Sequence, residues 1–196
     1  DRCAAEYGFS REAQDEYARE SFRRALAAQK GGQLDAEIEA VAVPQRKGDP
    51  QPVKLDEGPA KADPSKFAAL KPAFAKDGTI TAASSSSISD GAAAVVVTRE
   101  SIANAKGLKP VAKIVAMAAH AQEPKDFTTA PVGAIRKVLD RAGWSVDEVD
   151  LFEVNEAFAC VAMFAMHDLG IPHDRINVNG GATALGHPIG ASGARI

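Results

Sequence analysis

Cysteine is scarce in this chain: only Cys3 and Cys160 occur among 196 residues, far apart and without a CxxC pair. That scarcity argues against a disulfide framework and a zinc site, and makes a reducing compartment, the cytoplasm, the default expectation. A basic excess is missing too. The 23 lysines and arginines are scattered and outnumbered by 26 acids, for a net charge of −3, so nothing is available to neutralise a phosphate backbone and no nucleic-acid partner is expected. No apolar run approaches the ~20 residues of a membrane span, and the acidic start DRCAAEYGFS does not read as a signal peptide, so no membrane association is expected. The glycine-rich GHPIGASG lacks the lysine and serine or threonine of a phosphate-binding P-loop, and no GxGxxG spacing occurs. His120, His167 and His173 fall into no ligand spacing and read as ordinary surface residues, so no metal is expected.

What is present is the composition of a folded globular protein, 45% hydrophobic and long enough to bury a core. From Ser10 the pattern SREAQDEYARESFRRALAAQKGG predicts one amphipathic helix: Ser10 caps it, acids fill the early turns, Ala18, Phe22, Ala25 and Leu26 share a face, and Gly31 and Gly32 end it. Residues Ile38 to Val43 alternate as a half-buried strand would, and Pro44 to Pro64 reads as an exposed excursion. An α/β rhythm follows. Strands are expected at Gly91 to Val97, Val111 to Ala119, Asp150 to Val154 and Ile176 to Val178. Helices are expected from near Thr98 to Gly107, from Pro131 to Gly143 and from Glu156 to Leu169. The last segment, GASGARI, starts a helix and stops within about two turns, so both termini are expected to be cuts in a longer polypeptide.

Two places carry chemistry. VNEAFA (Val154 to Ala159) sits where a strand gives way to a helix; its plain reading is an N-cap at Asn155, with Ala157 and Phe158 facing the core. NVNGGATALGHPIGASGAR (Asn177 to Arg195) sets five glycines around His187. Glycines permit close backbone approach, and the stiff Gly186–His187–Pro188 turn lies at a strand-to-helix connection, where α/β proteins bind ligands. A lone histidine is ordinarily a hydrogen-bonded structural residue; the glycine setting favours a functional one.

The long histidine stretch resembles the glycine-histidine signature of the thiolase family, and VNEAFA resembles that family's asparagine motif, 32 residues upstream. LKPAFAKDGTITA (Leu70 to Ala82), SSSISDGAAAVVV (Ser85 to Val97) and PVGAIRKVLDRAGW (Pro131 to Trp144) are similar to further family segments, so the resemblance covers nearly the whole chain. It implies a five-layered αβαβα sandwich, here incomplete, with part of an inserted loop domain over residues 1 to 88. Residues 89 to 109 would be the last strand and helix of the first half, and 110 to 196 a truncated second half. The implied reaction is reversible Claisen chemistry on acyl-CoA: two acetyl-CoA condense to acetoacetyl-CoA, or a 3-ketoacyl-CoA is cleaved by coenzyme A. Coenzyme A thioesters are the substrates, no cofactor is implied, and a dimer or tetramer is expected at full length.

By the same resemblance His187 is the base beside a cysteine nucleophile, and Asn155 holds a water; together they would stabilise the thioester oxyanion, an effect for which each donor is typically worth ~10²–10³-fold in rate. Glu156 and Gly186 support them. Ser86, Phe74, Ala82, Ala157 and Phe158 would contact the pantetheine arm. Ala83 and Ser84 replace a glycine-asparagine pair common in the family, which questions the backbone geometry of that loop, and Phe127 stands where many short-chain enzymes carry methionine. Cys3 and Cys160 match neither reactive cysteine, so these 196 residues alone are expected to be inactive. A non-catalytic acyl-CoA or lipid-binding relative, a longer-chain 3-ketoacyl-CoA thiolase, and a fragment that folds only within a complete subunit are the alternatives.

Overall fold

The computed structural model describes all of residues 1–196. Eight α-helices, four 3-10 turns and one two-stranded hairpin follow one another along the chain. The first two helices, α1 (Arg2–Glu6) and α2 (Arg11–Lys30), start the chain. Ser10 accepts a hydrogen bond from the Ala13 amide and so caps α2 as its sequence signals, while Gly31 ends it. Next come β1 (Val41–Val43), β2 (Gln51–Val53), α3 (Gly58–Lys61) and α4 (Glu100–Ala105). The rest comprises α5 (Ala130–Ala142), α6 (Ala159–Leu169), α7 (Ala182–Leu185) and α8 (Ile189–Arg195). Gly143 and Gly170 close α5 and α6 in the left-handed conformation.

Helix α6 is the centre of the core. Its run from Ala159 to Ala165 is buried at every position, so these two turns have no polar face to offer solvent and must be surrounded, and polar side chains return only at His167 and Asp168. It packs against α1, α2 and α5, with Tyr17, Ile80, Val132, Phe152, Val154 and Ile176 completing the cluster. The buried face of α2 is more polar than its apolar spacing suggests: Gln14, Asp15, Tyr17 and Ser21 are buried beside Ala18, Ala25 and Ala28.

The expected strands fare differently from the helices. Residues 91–97 and 111–119 form no ladder, and their apolar side chains lie in the open, Val96 at 97% exposure. A strand exists only where another backbone satisfies its amides, and no other strand pairs with either run. Asp150 to Val154 and Ile176 to Val178 are reduced to a single parallel bridge, Phe152 with Ile176. The strand expected at Ile38 to Val43 is shorter and exposed rather than half-buried. It pairs antiparallel with β2, which lies inside the expected excursion, in the register Val41 with Val53 and Val43 with Gln51. No helix is long and apolar enough to cross a membrane.

Candidate active site

The Phe152–Ile176 bridge fixes where the chemistry can sit. Phe152 donates to Arg175 O at 2.7 Å and Asn177 donates to Phe152 O at 2.9 Å, bringing the asparagine motif and the histidine stretch side by side. Asn177, at φ 47° the sole non-glycine residue with positive φ, then turns its side chain onto the neighbouring backbone. Its Oδ1 accepts from Val154 N at 2.8 Å and its Nδ2 donates to Val154 O at 2.8 Å, so an amide side chain continues the ladder where the backbone departs. Asparagine tolerates that conformation better than most residues. Val154, the residue immediately before Asn155, is thereby held through both its amide and its carbonyl.

Glu156 anchors the other flank. It is fully buried without a cationic partner, and its two oxygens instead collect donors: Tyr17 Oη at 2.8 Å and Asn177 Nδ2 at 2.9 Å on Oε1, Ser21 Oγ at 2.7 Å and the Thr183 amide at 3.1 Å on Oε2. Four hydrogen bonds on a carboxyl group are what makes its burial tolerable. Burial, together with the adjacent Glu156, pushes the Tyr17 hydroxyl well above the usual phenol range, which keeps it a donor. Tyr17 and Ser21, one turn apart on α2, therefore tie that helix to both motif loops. Gly181 must be glycine here, because a Cβ would lie 2.3 Å from the Glu156 carboxyl carbon.

Asn155 and His187, separated by 32 residues in sequence, meet at 3.3 Å between Nδ2 and Nε2, both half-buried and open to one side. Asn155 is not the helix cap of its plain reading; the N-cap of α6 is Phe158. His187 is held at both ends. Its amide donates to Ser87 O at 3.0 Å, and its Nδ1 lies 2.7 Å from the buried Ser192 Oγ, which in turn lies 3.2 Å from Pro188 O. The turn depends on Gly186, whose φ of 86° with ψ of 166° is a region natural only to glycine, and whose missing Cβ would sit 2.1 Å from Ser89 Oγ.

The other expected contact residues gather alongside. Ser86 donates from its amide and from its hydroxyl to Ala157 O, each at 3.1 Å, so the serine run is stitched to the asparagine motif. Phe158 meets Phe74 edge-on at 5.7 Å and Phe127 at 6.1 Å, which forms a small aromatic wall. Phe74 is largely exposed, and Ala82 is exposed at the start of the serine turn. The concern about Ala83 and Ser84 is resolved by the backbone, since neither adopts positive φ. Both are buried; Thr81 Oγ1 accepts from the Ala83 amide at 3.2 Å, and Ser84 O accepts from the Ala159 amide at 2.9 Å.

Several residues are placed away from this chemistry. Cys3 and Cys160 are both buried, with Cys3 Sγ 3.8 Å from Cys160 O; Cys3 beside it and burial push the Cys160 thiol up, so it stays an unreactive thiol. His173 stacks on Tyr17 at 5.1 Å, His167 packs near Tyr7 and Phe9, and His120 faces Gly133 with its Nε2 3.2 Å from Gln122 Oε1. No cluster of three or more metal-ligating side chains forms. A polar hollow of about 290 Å³ lies elsewhere, beside Arg2, Glu6, Gln122 and Asp126, and none of the candidate residues lines it. Sequence patterning missed Tyr17, Ser21, Asn177 and Ser192. Asn177 and Ser192 lie inside the histidine stretch itself, whereas Tyr17 and Ser21 share one face of α2 with nothing in the sequence to mark their distant partner.

Comparison with known proteins agrees with this arrangement. The chain matches the sequence models of "Thiolase, N-terminal domain" over residues 1–101 and "Thiolase, C-terminal domain" over residues 108–196. Acetyl-CoA acetyltransferases from Chromobacterium violaceum and Allochromatium vinosum are 50% and 47% identical to it, over all of this chain and 50% of each relative. Among solved structures, the acetyl-CoA acetyltransferase of Bacillus anthracis superposes with a TM-score of 0.95 at 39% identity, covering 99% of this chain and 49% of that one. The Acat5 thiolase of Ascaris suum, solved in complex with coenzyme A, gives a TM-score of 0.89 at 37% identity over 99% of this chain and 50% of its own. The chain belongs to the thiolase family and has its mixed α/β fold. It spans about half the length of the curated relatives it matches.

Proposed function

We propose that this chain is part of a thiolase-type acyltransferase that condenses two acetyl-CoA to acetoacetyl-CoA and runs the reverse thiolysis of 3-ketoacyl-CoA. The observation that carries the reading is the 3.3 Å approach of Asn155 Nδ2 and His187 Nε2, between two motif loops that the surrounding hydrogen bonds clamp together. A thioester whose α-carbon loses a proton puts negative charge on its carbonyl oxygen. Two neighbouring polar hydrogens at this half-buried place would answer that charge: one from His187 once Nε2 has taken a proton, one from the second N–H of Asn155 or a water it holds. A cysteine thiol is the group whose proton His187 would accept, leaving a thiolate to attack the acyl carbon.

Ser86, Ala157 and Phe158, with Phe74 and Ala82 beside them, would line the approach of the pantetheine arm; their convergence on the Asn155 side of the site supports that placement. The acetyl-CoA acetyltransferase names of the relatives and the coenzyme A bound to the Ascaris thiolase point to the same substrate class. Residues 1–88 would form the part of a loop domain that touches coenzyme A, 89–109 the end of one thiolase half and 110–196 part of the other. Assembly of the full-length protein into a dimer or tetramer belongs to the same proposal.

The test is thiolytic cleavage of acetoacetyl-CoA by a full-length thiolase polypeptide carrying these residues. His187→Ala and Asn155→Ala are each expected to lower kcat by roughly 10²–10³-fold. The 196 residues alone are expected to give no thiolysis above background. Activity of the isolated chain that disappears on alkylation of Cys160 would refute the assignment of roles.

A further inference from the structure

Four polar groups run in line through the site: Asn155 Nδ2, His187 Nε2 and Nδ1 across the ring, Ser192 Oγ and Pro188 O, with separations of 3.3, 2.7 and 3.2 Å. The chemistry of the first member sets the direction of the rest. The Asn155 amide presents its NH₂, a donor, to His187 Nε2, which assigns the lone pair of the neutral ring to Nε2. Nδ1 then carries the proton and donates to Ser192 Oγ. Ser192 has a single hydroxyl proton, and with its oxygen accepting from the ring that proton turns to the carbonyl of Pro188, four residues back at the N-cap of α8, the usual partner of a helical serine.

We propose that Ser192 is a positioning residue: it holds His187 in the Nδ1–H tautomer, so that Nε2 faces the reacting groups as a base. The statement rests on the reading of His187 as the base of a thiolase-type site and names the group that sets its tautomer. Ser192 is suited to this role, being 5% exposed, so that water does not compete for the ring nitrogen. After Nε2 takes a thiol proton the same bond persists. The positive ring keeps Nδ1–H on Ser192 and turns its new Nε2–H toward the oxyanion, so one side chain serves as acceptor and then donor without rotating. Without Ser192 the neutral ring is free to place its proton on Nε2, the form that free histidine favours, and a ring in that form cannot accept the thiol proton where it is delivered.

The tautomer is read directly from long-range ¹H–¹⁵N correlations of the imidazoles, which is tractable with four histidines in the chain and with His187 assigned by its loss in His187→Gln. At a pH where the ring is neutral, His187 is expected as the Nδ1–H form. Ser192→Ala is expected to move it to a mixture or to Nε2–H, and Ser192→Thr, which keeps the hydroxyl, to restore it. In the full-length enzyme Ser192→Ala should lower kcat roughly 10- to 100-fold with KM changed less than about twofold, since one hydrogen bond to a charged group is at stake, and Ser192→Thr should recover most of the loss. An Nε2–H ring in the unsubstituted chain, or an Nδ1–H ring unmoved by Ser192→Ala, overturns the inference, and the first of these needs no variant to fold. If the tautomer behaves as stated while His187→Ala leaves thiolysis intact, the positioning role stands and the catalytic reading of His187 falls.

Discussion

Replacement of Glu156 should be among the most damaging single changes in this chain, and the reason can be counted. In Glu156→Ala four donors lose their acceptor. Asn177 Nδ2 keeps Val154 O at 2.8 Å, so it is not orphaned. The hydroxyls of Tyr17 and Ser21 and the Thr183 amide have no such reserve, and all three residues are buried. An unsatisfied buried polar group costs about 1–3 kcal/mol, which gives a gross loss of about 3–9 kcal/mol; water entering the vacated space recovers part of it. Against a total domain stability of about 5–15 kcal/mol, that loss is sufficient to abolish cooperative unfolding. Glu156→Gln is a milder perturbation. One oxygen still accepts, but the amide NH₂ confronts two donors; Ser21 can rotate its hydroxyl to accept, and Tyr17 can do so in the other orientation, so the expected loss is about 1–3 kcal/mol. Urea titration followed by far-UV circular dichroism separates the two variants. A loss below about 1 kcal/mol for Glu156→Ala would refute the reasoning, because it would mean that the network holds nothing that water cannot.

Three further outcomes are expected. Gly186→Ala should destabilise the chain by about 1–3 kcal/mol from backbone conformation alone and displace His187, measurable as a lowered urea midpoint together with a changed His187 ring signal. Arg23 first and Arg24 second hold the Glu20 carboxyl at about 2, below its ordinary 4.5, so its contribution is present above pH 4.5 and fades as pH falls toward 2. For this partly exposed triad at the surface, screening holds the contribution to about 1 kcal/mol, and the difference in urea midpoint between the protein and Glu20→Gln should shrink from pH 6 to pH 3. Val96→Thr should change the stability of this chain by less than about 0.5 kcal/mol while reducing its tendency to self-associate, as read by light scattering; a large loss of stability would show that Val96 is packed.

The longer helices were legible in the sequence because their signals are local, while the short α1, α3 and α7 were not expected and α6 starts three residues later than its pattern suggests. Ser10, Gly31, Gly143 and Gly170 mark ends through conformations that need no distant partner. The runs 91–97 and 111–119 carry the composition of buried strands, but a ladder is a relation between two segments, and composition cannot supply the second. The site divides along the same line. Asn155, His187, Ser86 and Phe158 stood out because their motifs are contiguous and resemble those of a known family. The Glu156 network was out of reach: Tyr17 lies 139 residues from Glu156 and Ser21 135, and only folding places them on one carboxyl group. Ser192 was within the histidine stretch, yet its bond to Nδ1 depends on α8 turning it back over the ring.

The most direct test of the central claim, that Asn155 and His187 act together on one developing charge, is a double-mutant cycle on thiolysis of acetoacetyl-CoA by the full-length enzyme. Each single alanine variant should lose roughly 10²–10³-fold in kcat, and the double variant should be slower than the worse single by no more than about threefold, because groups that act as a unit are not additive. Independent losses that multiply, or a single variant within about threefold of the unsubstituted enzyme, would contradict it.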